Sequence, residues 1–267
     1  MKNISILGCG WLGFPLAKAL LAEGYNVKGT TTSPSKLSDF EQAGIASYVV
    51  NLTSEAIVGD IDAFLENTAV LTIAIPPKLR GPEPDRFDLK IDLLIPHIEN
   101  AGIENVLFIS STSVYGENNT IVTEEHVLNP DTESGRQLVV VENNLQKNTH
   151  FKTTVLRFGG LIGENRHPIK FLAGRENIEN PDAPINLIHQ KDCIGIILKI
   201  IEQEAWNETF NAVCPFHPSR ESYYTQKAIE YELPLPKFSA ENTIIGKTIV
   251  SDKIIEKLGY TFKETQL

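Results

Sequence analysis

Three glycines near the amino terminus have the spacing of a phosphate-binding turn. Residues 8–13 read Gly-Cys-Gly-Trp-Leu-Gly, directly after a short apolar segment and directly before an amphipathic one. The first glycine of such a turn permits a tight bend, the second lets the backbone approach a pyrophosphate, and the third allows helix and strand to pack closely. The start of the helix then offers free amides and the positive end of its dipole to the phosphates. The segment predicts a dinucleotide-binding site at Gly8, Gly10, Trp11, Leu12 and Gly13, with a purely structural glycine turn as the alternative.

The residues that follow the second apolar segment indicate which dinucleotide binds. An acidic residue there would accept a hydrogen bond from the ribose 2′-hydroxyl of NAD. Residues 29–36 instead read Gly-Thr-Thr-Thr-Ser-Pro-Ser-Lys and contain no carboxylate. We therefore expect NADP as the cofactor, with its 2′-phosphate held by Thr31, Thr32, Ser33 and Lys36. NAD is the alternative, because Lys36 could equally be a solvated residue in the first turn of a helix.

Short apolar runs alternate with amphipathic stretches through the first half of the chain. Strands are predicted at residues 3–7, 25–30, 47–51, 69–75 and 106–110, and helices at 11–24, 34–43 and 85–100. Apolar strands without alternation, separated by helices, indicate a parallel sheet that is covered on both faces. Further cofactor contacts are predicted after the third and fourth strands, at Asn51, Leu52, Ala74, Ile75 and Pro76.

The second half of the chain is less regular. Leu138, Val141 and Leu145 indicate one helix, and the remaining predicted elements are strands at 153–157 and 185–188, a helix containing Ile194, Ile197, Leu198 and Ile201, and helices at 220–232 and 251–258. The whole pattern predicts an α/β fold, a Rossmann-type doubly wound parallel sheet with a small, partly interleaved C-terminal cap. The corresponding domains are an NAD(P)-binding domain at 1–165 and a cap at 166–267, with segments of the cap returning to the sheet.

Composition excludes several classes of function. The chain has 267 residues and a net charge of −10, which disfavours binding to the phosphates of a nucleic acid. Its three cysteines form no C-x-x-C pair and its six histidines no H-x-x-x-H pair, so we expect no metal. No apolar run approaches the roughly 20 residues that span a bilayer, and no signal peptide precedes the glycines. We therefore expect a cytoplasmic protein without a membrane or nucleic-acid partner.

Over nearly its whole length the sequence resembles the extended short-chain dehydrogenase/reductase family. The resemblance rests on the glycine segment and on residues 110–116 (Ser-Ser-Thr-Ser-Val-Tyr-Gly), 156–163 (Leu-Arg-Phe-Gly-Gly-Leu-Ile-Gly) and 188–192 (Ile-His-Gln-Lys-Asp). The tail at 257–260 and the prolines after the fourth strand are most similar to an atypical, epimerase/dehydratase-like subgroup. The resemblance implies a Rossmann fold, an NAD(P) cofactor, an unidentified small-molecule substrate with a sugar-like molecule as one candidate, and a homodimer as a candidate assembly.

The chemistry that the resemblance implies needs a serine or threonine and a Tyr-x-x-x-Lys pair on one helix face. Ser111 matches the serine, but Ser134 and Leu138 occupy the tyrosine and lysine positions. We expect Leu138 to be a core residue and Ser134 to be a helix cap or a surface hydroxyl. Ser111 and Tyr115, which lies in the loop before the helix, are the predicted catalytic residues.

Four other residues are weaker candidates for a ligand site. His189 and Asp192 are expected to cap a helix, while His167 and Arg220 lie where a substrate pocket would be. Two functions remain open from the sequence. The protein is either an NAD(P)-dependent epimerase, dehydratase or reductase with a degenerate active site, or a non-catalytic dinucleotide-sensing module.

Overall fold

The computed structural model describes residues 2–77, 79, 85–117, 120–239 and 246–267. Within these residues the strands are β1 (Asn3–Leu7), β2 (Asn26–Thr31), β3 (Ala46–Val49), β4 (Asn51–Leu52), β5 (Ile57–Val58), β6 (Val70–Ile73), β7 (Asn105–Ser111), β8 (Ile121–Val122), β9 (Lys152–Phe158), β10 (Gly160–Ile162), β11 (Leu187–His189), β12 (Thr209–Ala212) and β13 (Thr248–Ile249). The helices are α1 (Gly13–Ala22), α2 (Leu37–Gln42), α3 (Ile61–Leu65), α4 (Phe87–Asn100), α5 (Glu133–Lys147), α6 (Ile169–Leu172), α7 (Gln190–Glu202), α8 (Arg220–Glu230) and α9 (Asp252–Leu258).

Seven strands form the central sheet in the order β12-β9-β7-β6-β1-β2-β3. Every neighbouring pair in this sheet is parallel. The chain moves outward from β1 to β3, returns to β6 on the other side of β1, and continues to β12. This is the doubly wound, Rossmann-type sheet that the sequence predicts. Ligands of such sheets bind at the carboxyl ends of the strands, where the winding changes direction between β1 and β6.

Two apolar cores cover the two faces of the sheet. One core packs α1 and α7 against the strands through Leu16, Leu20, Ile196 and Ile200. The other packs α4 and α5 through Ile91, Leu94, Val141 and Leu145. Leu138 is fully inside this second core, which confirms its prediction as a core residue.

The structure differs from the predicted elements mainly at their ends. The first helix begins at Gly13 and not at residue 11, because Trp11 and Leu12 belong to the turn. The helix predicted at 34–43 consists of a 3-10 turn, Pro34–Lys36, followed by α2. Several short elements were not predicted, namely α3, α6, β4, β5, β8, β10, β12 and β13, since segments of two to five residues show no clear periodicity.

The C-terminal part of the chain contributes one strand, β12, to the sheet and ends in helix α9 and the residues that follow it. Strand β12 pairs with β9 at the sheet edge. Ser251 occupies the N-cap position of α9, but its hydroxyl accepts a hydrogen bond from the amide of Val213 and does not cap the helix. Gly259 ends α9 in the left-handed conformation, with φ of 59°. The domain division at residue 165 stays a prediction. The helices among the described residues are all too short or too polar to cross a bilayer.

Candidate functional site

The three glycines of the turn, which we call the glycine loop (residues 8–13), differ in their surroundings: two are in close contact with the protein and one faces open space. Gly8 has φ of +103°, and a Cβ atom there would lie 2.7 Å from the Cγ2 atom of Ile75. A Cβ atom on Gly13 would lie 2.3 Å from the carbonyl oxygen of Gly8, so the start of α1 can approach β1 only because residue 13 is glycine. Gly10 is exposed, and a Cβ atom there would meet nothing within 4 Å. The space over Gly10 is therefore free for a ligand to approach the backbone.

Thr30, at the end of β2, holds the glycine loop in place. Its hydroxyl accepts a hydrogen bond of 2.8 Å from the amide of Gly8, and its carbonyl accepts one of 2.9 Å from the amide of Cys9. The Thr30 side chain is buried, so this interaction is shielded from water. The sequence analysis missed Thr30, because three consecutive threonines gave no sign of which one points inward.

Three backbone amides of the glycine loop are unpaired among the described residues. In the part of the chain that the structure describes, no acceptor pairs with the amides of Trp11, Leu12 and Gly13. The first amides of a helix have no partner inside it, and they carry the positive end of the helix dipole. The Leu12 side chain is buried and anchors this turn in the core. The arrangement suits an anionic group placed over Gly10.

Trp11 forms a fixed wall at one side of the glycine loop. Its carbonyl accepts a hydrogen bond of 2.6 Å from the Gln190 amide group. A Cβ atom on Gly163 would lie 2.9 Å from the indole, so the hairpin after β10 packs tightly on the ring. The guanidinium of Arg166 lies 4.9 Å from the ring centroid. Trp11 was predicted from the sequence as a residue of the site, but Arg166 was not, because their contact joins segments that are distant in the chain.

The residues predicted after β6 lie beside the glycine loop. The amide of Ala74 donates to the carbonyl of Leu7 over 2.9 Å, which continues the pairing between β1 and β6 past the end of the strand. Ile75 packs against Gly8, and Pro76 is exposed. Ala74 and Ile75 therefore form the floor on one side of the loop, at the point where the winding of the sheet reverses.

The residues predicted at the ends of β2 and β3 divide into inward-facing and outward-facing side chains. The Thr31 hydroxyl is buried and accepts a hydrogen bond from the amide of Ser33. Thr32 and Lys36 are exposed, and no carboxylate pairs with Lys36 among the described residues. Asn51 is exposed, whereas Leu52 packs in the core that contains α4, which argues against a ligand contact by its side chain.

Ser111 is the last residue of β7, and its hydroxyl can donate a hydrogen bond. Its oxygen accepts a hydrogen bond of 3.2 Å from the amide of Ser113. Among the described residues no acceptor pairs with its hydroxyl proton, so that proton can be donated to a ligand. The start of α5 packs directly on this turn, because a Cβ atom on Gly135 would lie 2.3 Å from the Ser113 carbonyl. Helix α5 is thus held where the implied chemistry needs a helix, next to Ser111.

Helix α5 carries Ser134 and Leu138 at the positions that the resemblance assigns to a tyrosine and a lysine. Thr132 is its N-cap and accepts a hydrogen bond from the amide of Gly135, so the interpretation of Ser134 as a cap is wrong. Ser134 lies half-buried within the first turn. Leu138 points into the core, and one turn later the same face carries Glu142.

Glu142 and Arg157 form a buried ion pair between α5 and β9. The Arg157 Nη2 atom donates to the carboxylate over 2.7 Å, and its Nε atom donates over 3.2 Å. Ser110, adjacent to Ser111, donates its hydroxyl to the same carboxylate. A sequence signal for this pair existed, because Arg157 interrupts an apolar strand and Glu142 shares the buried face of the helix with Leu138.

Tyr115 belongs to this buried network and not to an accessible active site. Its hydroxyl accepts a hydrogen bond of 2.6 Å from Arg157 and donates one of 2.9 Å to the side-chain oxygen of Asn211. Burial raises the pKa of Tyr115, although the neighbouring Arg157 guanidinium opposes that rise. The geometry therefore argues against the predicted catalytic role of Tyr115, since its hydroxyl is committed on both sides and is out of contact with solvent.

The histidines and charged residues near the cap have structural partners. The Nδ1 atom of His167 accepts a hydrogen bond from the amide of Ile169, which leaves its Nε2 atom to bond the Tyr223 hydroxyl over 2.8 Å. Burial lowers the pKa of His167 to about 4, so the ring is neutral at pH 7. Arg220 donates to the carbonyl of Glu179.

The two residues expected to cap a helix have different roles. His189 caps α7 as expected, because its Nδ1 atom accepts from the amide of Lys191. Asp192 does not act as a cap. Its carboxylate accepts hydrogen bonds from the Tyr260 hydroxyl and from two amides of the C-terminal tail, at Lys263 and Glu264.

Comparison with known proteins identifies relatives of the whole chain. No family model matches the sequence. Protein YeeZ of Escherichia coli K12 is 33% identical over 266 residues, which are 98% of this chain and 96% of YeeZ. The chain belongs to the YeeZ family. The same protein of Escherichia coli O157:H7 matches this YeeZ-family chain to the same extent.

Solved structures with the same fold include sugar-nucleotide proteins. A functionally unknown conserved protein from Silicibacter pomeroyi superposes with a TM-score of 0.81 at 22% identity, over 100% of this chain and 95% of that one. MoeE5, solved with UDP-glucose and NAD, superposes with a TM-score of 0.79 at 18% identity, over 98% and 94% of the chains. UDP-N-acetylglucosamine 4-epimerase from Bacillus cereus gives the same four values. At these identities the likeness shows that the YeeZ-family chain shares their fold.

Proposed function

We propose that this YeeZ-family protein binds a nicotinamide dinucleotide at the glycine loop and acts as an oxidoreductase or epimerase on a small, sugar-like molecule. The observation that carries the proposal is the open space over Gly10, bordered by the unpaired amides of Trp11, Leu12 and Gly13. A pyrophosphate needs such a surface, because donors must converge where no side chain intervenes. MoeE5 supports the same proposal, since that protein of like fold was solved with UDP-glucose and NAD.

The residues around the loop suit the other parts of such a cofactor. Ala74 and Ile75 offer an apolar floor beside Gly8, and Trp11 offers a wall that excludes water on the cap side. The nicotinamide ring would supply hydride exchange when bound. Ser111 would orient a substrate oxygen, because its hydroxyl proton is free to be donated.

We further propose that NADP is preferred over NAD. Exposed Thr32 and Lys36 follow β2 where an NAD-binding chain would carry an acid, and Lys36 offers a positive charge to a 2′-phosphate. The Ser33 side chain is half-buried in the same turn. Thr31 contributes less than the sequence suggested, because its hydroxyl is buried and already accepts a hydrogen bond.

A non-catalytic dinucleotide sensor is the second candidate function. The specific support for it is that residue 138 is an apolar core residue and that the Tyr115 hydroxyl is buried and hydrogen-bonded. Leu138 is sealed in the core, and the Tyr115 hydroxyl is committed to Arg157 and Asn211. A protein with this helix would bind a dinucleotide without catalysing a reaction.

Substitution of Gly10 tests the proposed binding site. Titrate the parent, Gly10→Ala and Gly10→Val with NADPH and NADH, and measure the unfolding free energy of each protein without ligand. We expect all three to be about equally stable, because the added atoms meet open space. Affinity should fall from parent to alanine and be lost with valine. A Gly10→Val protein that binds both dinucleotides as tightly as the parent would show that the loop is not the site.

A further inference from the structure

A short hairpin of the cap side, residues 163–166, places one arginine directly beside the glycine loop. Gly163 and Arg166 exchange two backbone hydrogen bonds of 2.9 Å, which fixes the turn. The guanidinium of Arg166 then lies over the indole of Trp11, 4.9 Å from its centroid. The Arg166 side chain is exposed, so its donors face solvent at the rim of the loop.

The aromatic partner of Arg166 is held rigidly. Trp11 is fixed through its carbonyl by Gln190 and through its ring by close contact with Gly163. Any side chain at residue 163 would displace the indole, because a Cβ atom there would already lie 2.9 Å away. The stacking therefore restricts the guanidinium to one side of the glycine loop before any ligand binds.

The charge of Arg166 has no partner that would explain it. Within the described residues, no carboxylate forms an ion pair with Arg166, although Glu164 lies in the same hairpin. A guanidinium stacked on an aromatic face keeps its in-plane N–H groups free, and these match the oxygens of a phosphate in pairs. The whole chain carries a net charge of −10, so a local cation is needed to attract an anion to this edge.

We propose that Arg166, stacked on Trp11, binds the diphosphate of a nucleotide ligand across the glycine loop. The proposal rests on the proposed function and deepens it, because it makes the cap side a direct participant in recognition. A diphosphate is present both in a nicotinamide dinucleotide and in a nucleotide sugar, so the experiment must separate these two sources.

The chain offers a direct optical measurement of this contact. Its two tryptophans are Trp11 and Trp206, and Trp206 lines a groove near the amino ends of the central strands, away from their carboxyl ends where the glycine loop lies. In a Trp206→Phe background, the fluorescence of Trp11 alone reports binding beside the loop. The probes are NADPH, UDP-glucose in the presence and absence of saturating NADPH, inorganic pyrophosphate, and adenosine as an uncharged control. The variants are Arg166→Gln and Arg166→Lys, with Arg175→Gln as the matched control, since Arg175 is an exposed cap arginine away from Trp11.

We expect Arg166→Gln to weaken the diphosphate ligand at least about tenfold, the usual scale for a lost hydrogen bond to a charged group. Arg166→Lys should recover part of the affinity, and neither Arg175→Gln nor the adenosine measurement should change. A loss for NADPH assigns the contact to the dinucleotide. A loss for UDP-glucose alone, with NADPH bound normally, assigns it to a nucleotide sugar.

Two outcomes separate this inference from the proposed function. If Gly10→Val abolishes NADPH binding while Arg166→Gln leaves every probe unchanged, the site stands and the role of Arg166 is refuted. If the parent binds pyrophosphate or UDP-glucose but no dinucleotide, and Arg166→Gln weakens that binding, the proposed cofactor is wrong and the role of Arg166 stands. A parent protein that binds none of the diphosphates refutes both.

Discussion

Replacement of Glu142 by glutamine would leave the Arg157 guanidinium buried without a counter-charge. Glu142 and Arg157 are 1% and 4% exposed, so water cannot take over the lost interaction. Glutamine has nearly the same shape as glutamate and keeps one carbonyl acceptor for Arg157 or Ser110. The change therefore removes the charge with little change in packing.

The expected loss follows from the geometry of the pair. Breaking a buried, hydrogen-bonded ion pair on one side typically costs about 3–5 kcal/mol of unfolding free energy. Natural domains have roughly 5–15 kcal/mol in total, so the variant should lose a large part of its stability. At about 2–4 °C per kcal/mol for a chain of this size, the melting temperature should fall by roughly 6–20 °C.

Urea denaturation and thermal melting would measure this loss, with Glu256→Gln as the control for removing one surface carboxylate. Glu256 is exposed on α9, and its replacement should change the unfolding free energy by no more than about 0.5 kcal/mol. The double variant Glu142→Leu, Arg157→Met should be more stable than Glu142→Gln, because it leaves no unpaired charge. If Glu142→Gln is within about 1 kcal/mol of the parent, the reasoning about a desolvated, indispensable pair is refuted.

Three further outcomes follow from the site and the cap. Lowering the pH from 6.5 to about 4 should destabilise the parent more than His167→Gln, by up to a few kcal/mol in urea unfolding. The reason is that an unfolded histidine binds a proton near pH 6.5, while the folded ring stays neutral down to about pH 4. Lys36→Gln should weaken NADPH more than NADH by about 1 kcal/mol, roughly fivefold in Kd. Lys152→Gln, at the amino end of β9 and on the opposite side of the sheet from the carboxyl ends, should affect neither dinucleotide. If the protein is the non-catalytic sensor, assays with nucleotide sugars and simple carbonyl compounds should show no NAD(P)H-linked turnover above background; turnover that survives Tyr115→Phe but disappears with Ser134→Ala would contradict this and would assign the proton transfer to Ser134.

The sequence determined those features that depend on neighbours along the chain. The spacing of Gly8, Gly10 and Gly13 specifies a turn between a strand and a helix, and the structure shows close contacts that require glycine at Gly8 and Gly13 and open space over Gly10. The order of apolar strands and amphipathic helices was enough to predict the parallel, doubly wound sheet, because periodicity and turn chemistry are local properties. Leu138 was placed in the core for the same reason, since it is in phase with Val141 and Leu145.

The tertiary structure alone decided which polar side chains meet. Thr30 rather than its neighbours holds Gly8, because only the alignment of β1 and β2 turns that hydroxyl toward the loop. The predicted role of Tyr115 is disfavoured because its loop folds inward onto Arg157, and the contact between Arg166 and Trp11 arises because the hairpin at 163–166 packs on the indole. The chemistry of a polar side chain depends on its burial and on its partners, and strands that are distant in the chain supply both. A linear pattern carries no information about which of those strands will lie side by side.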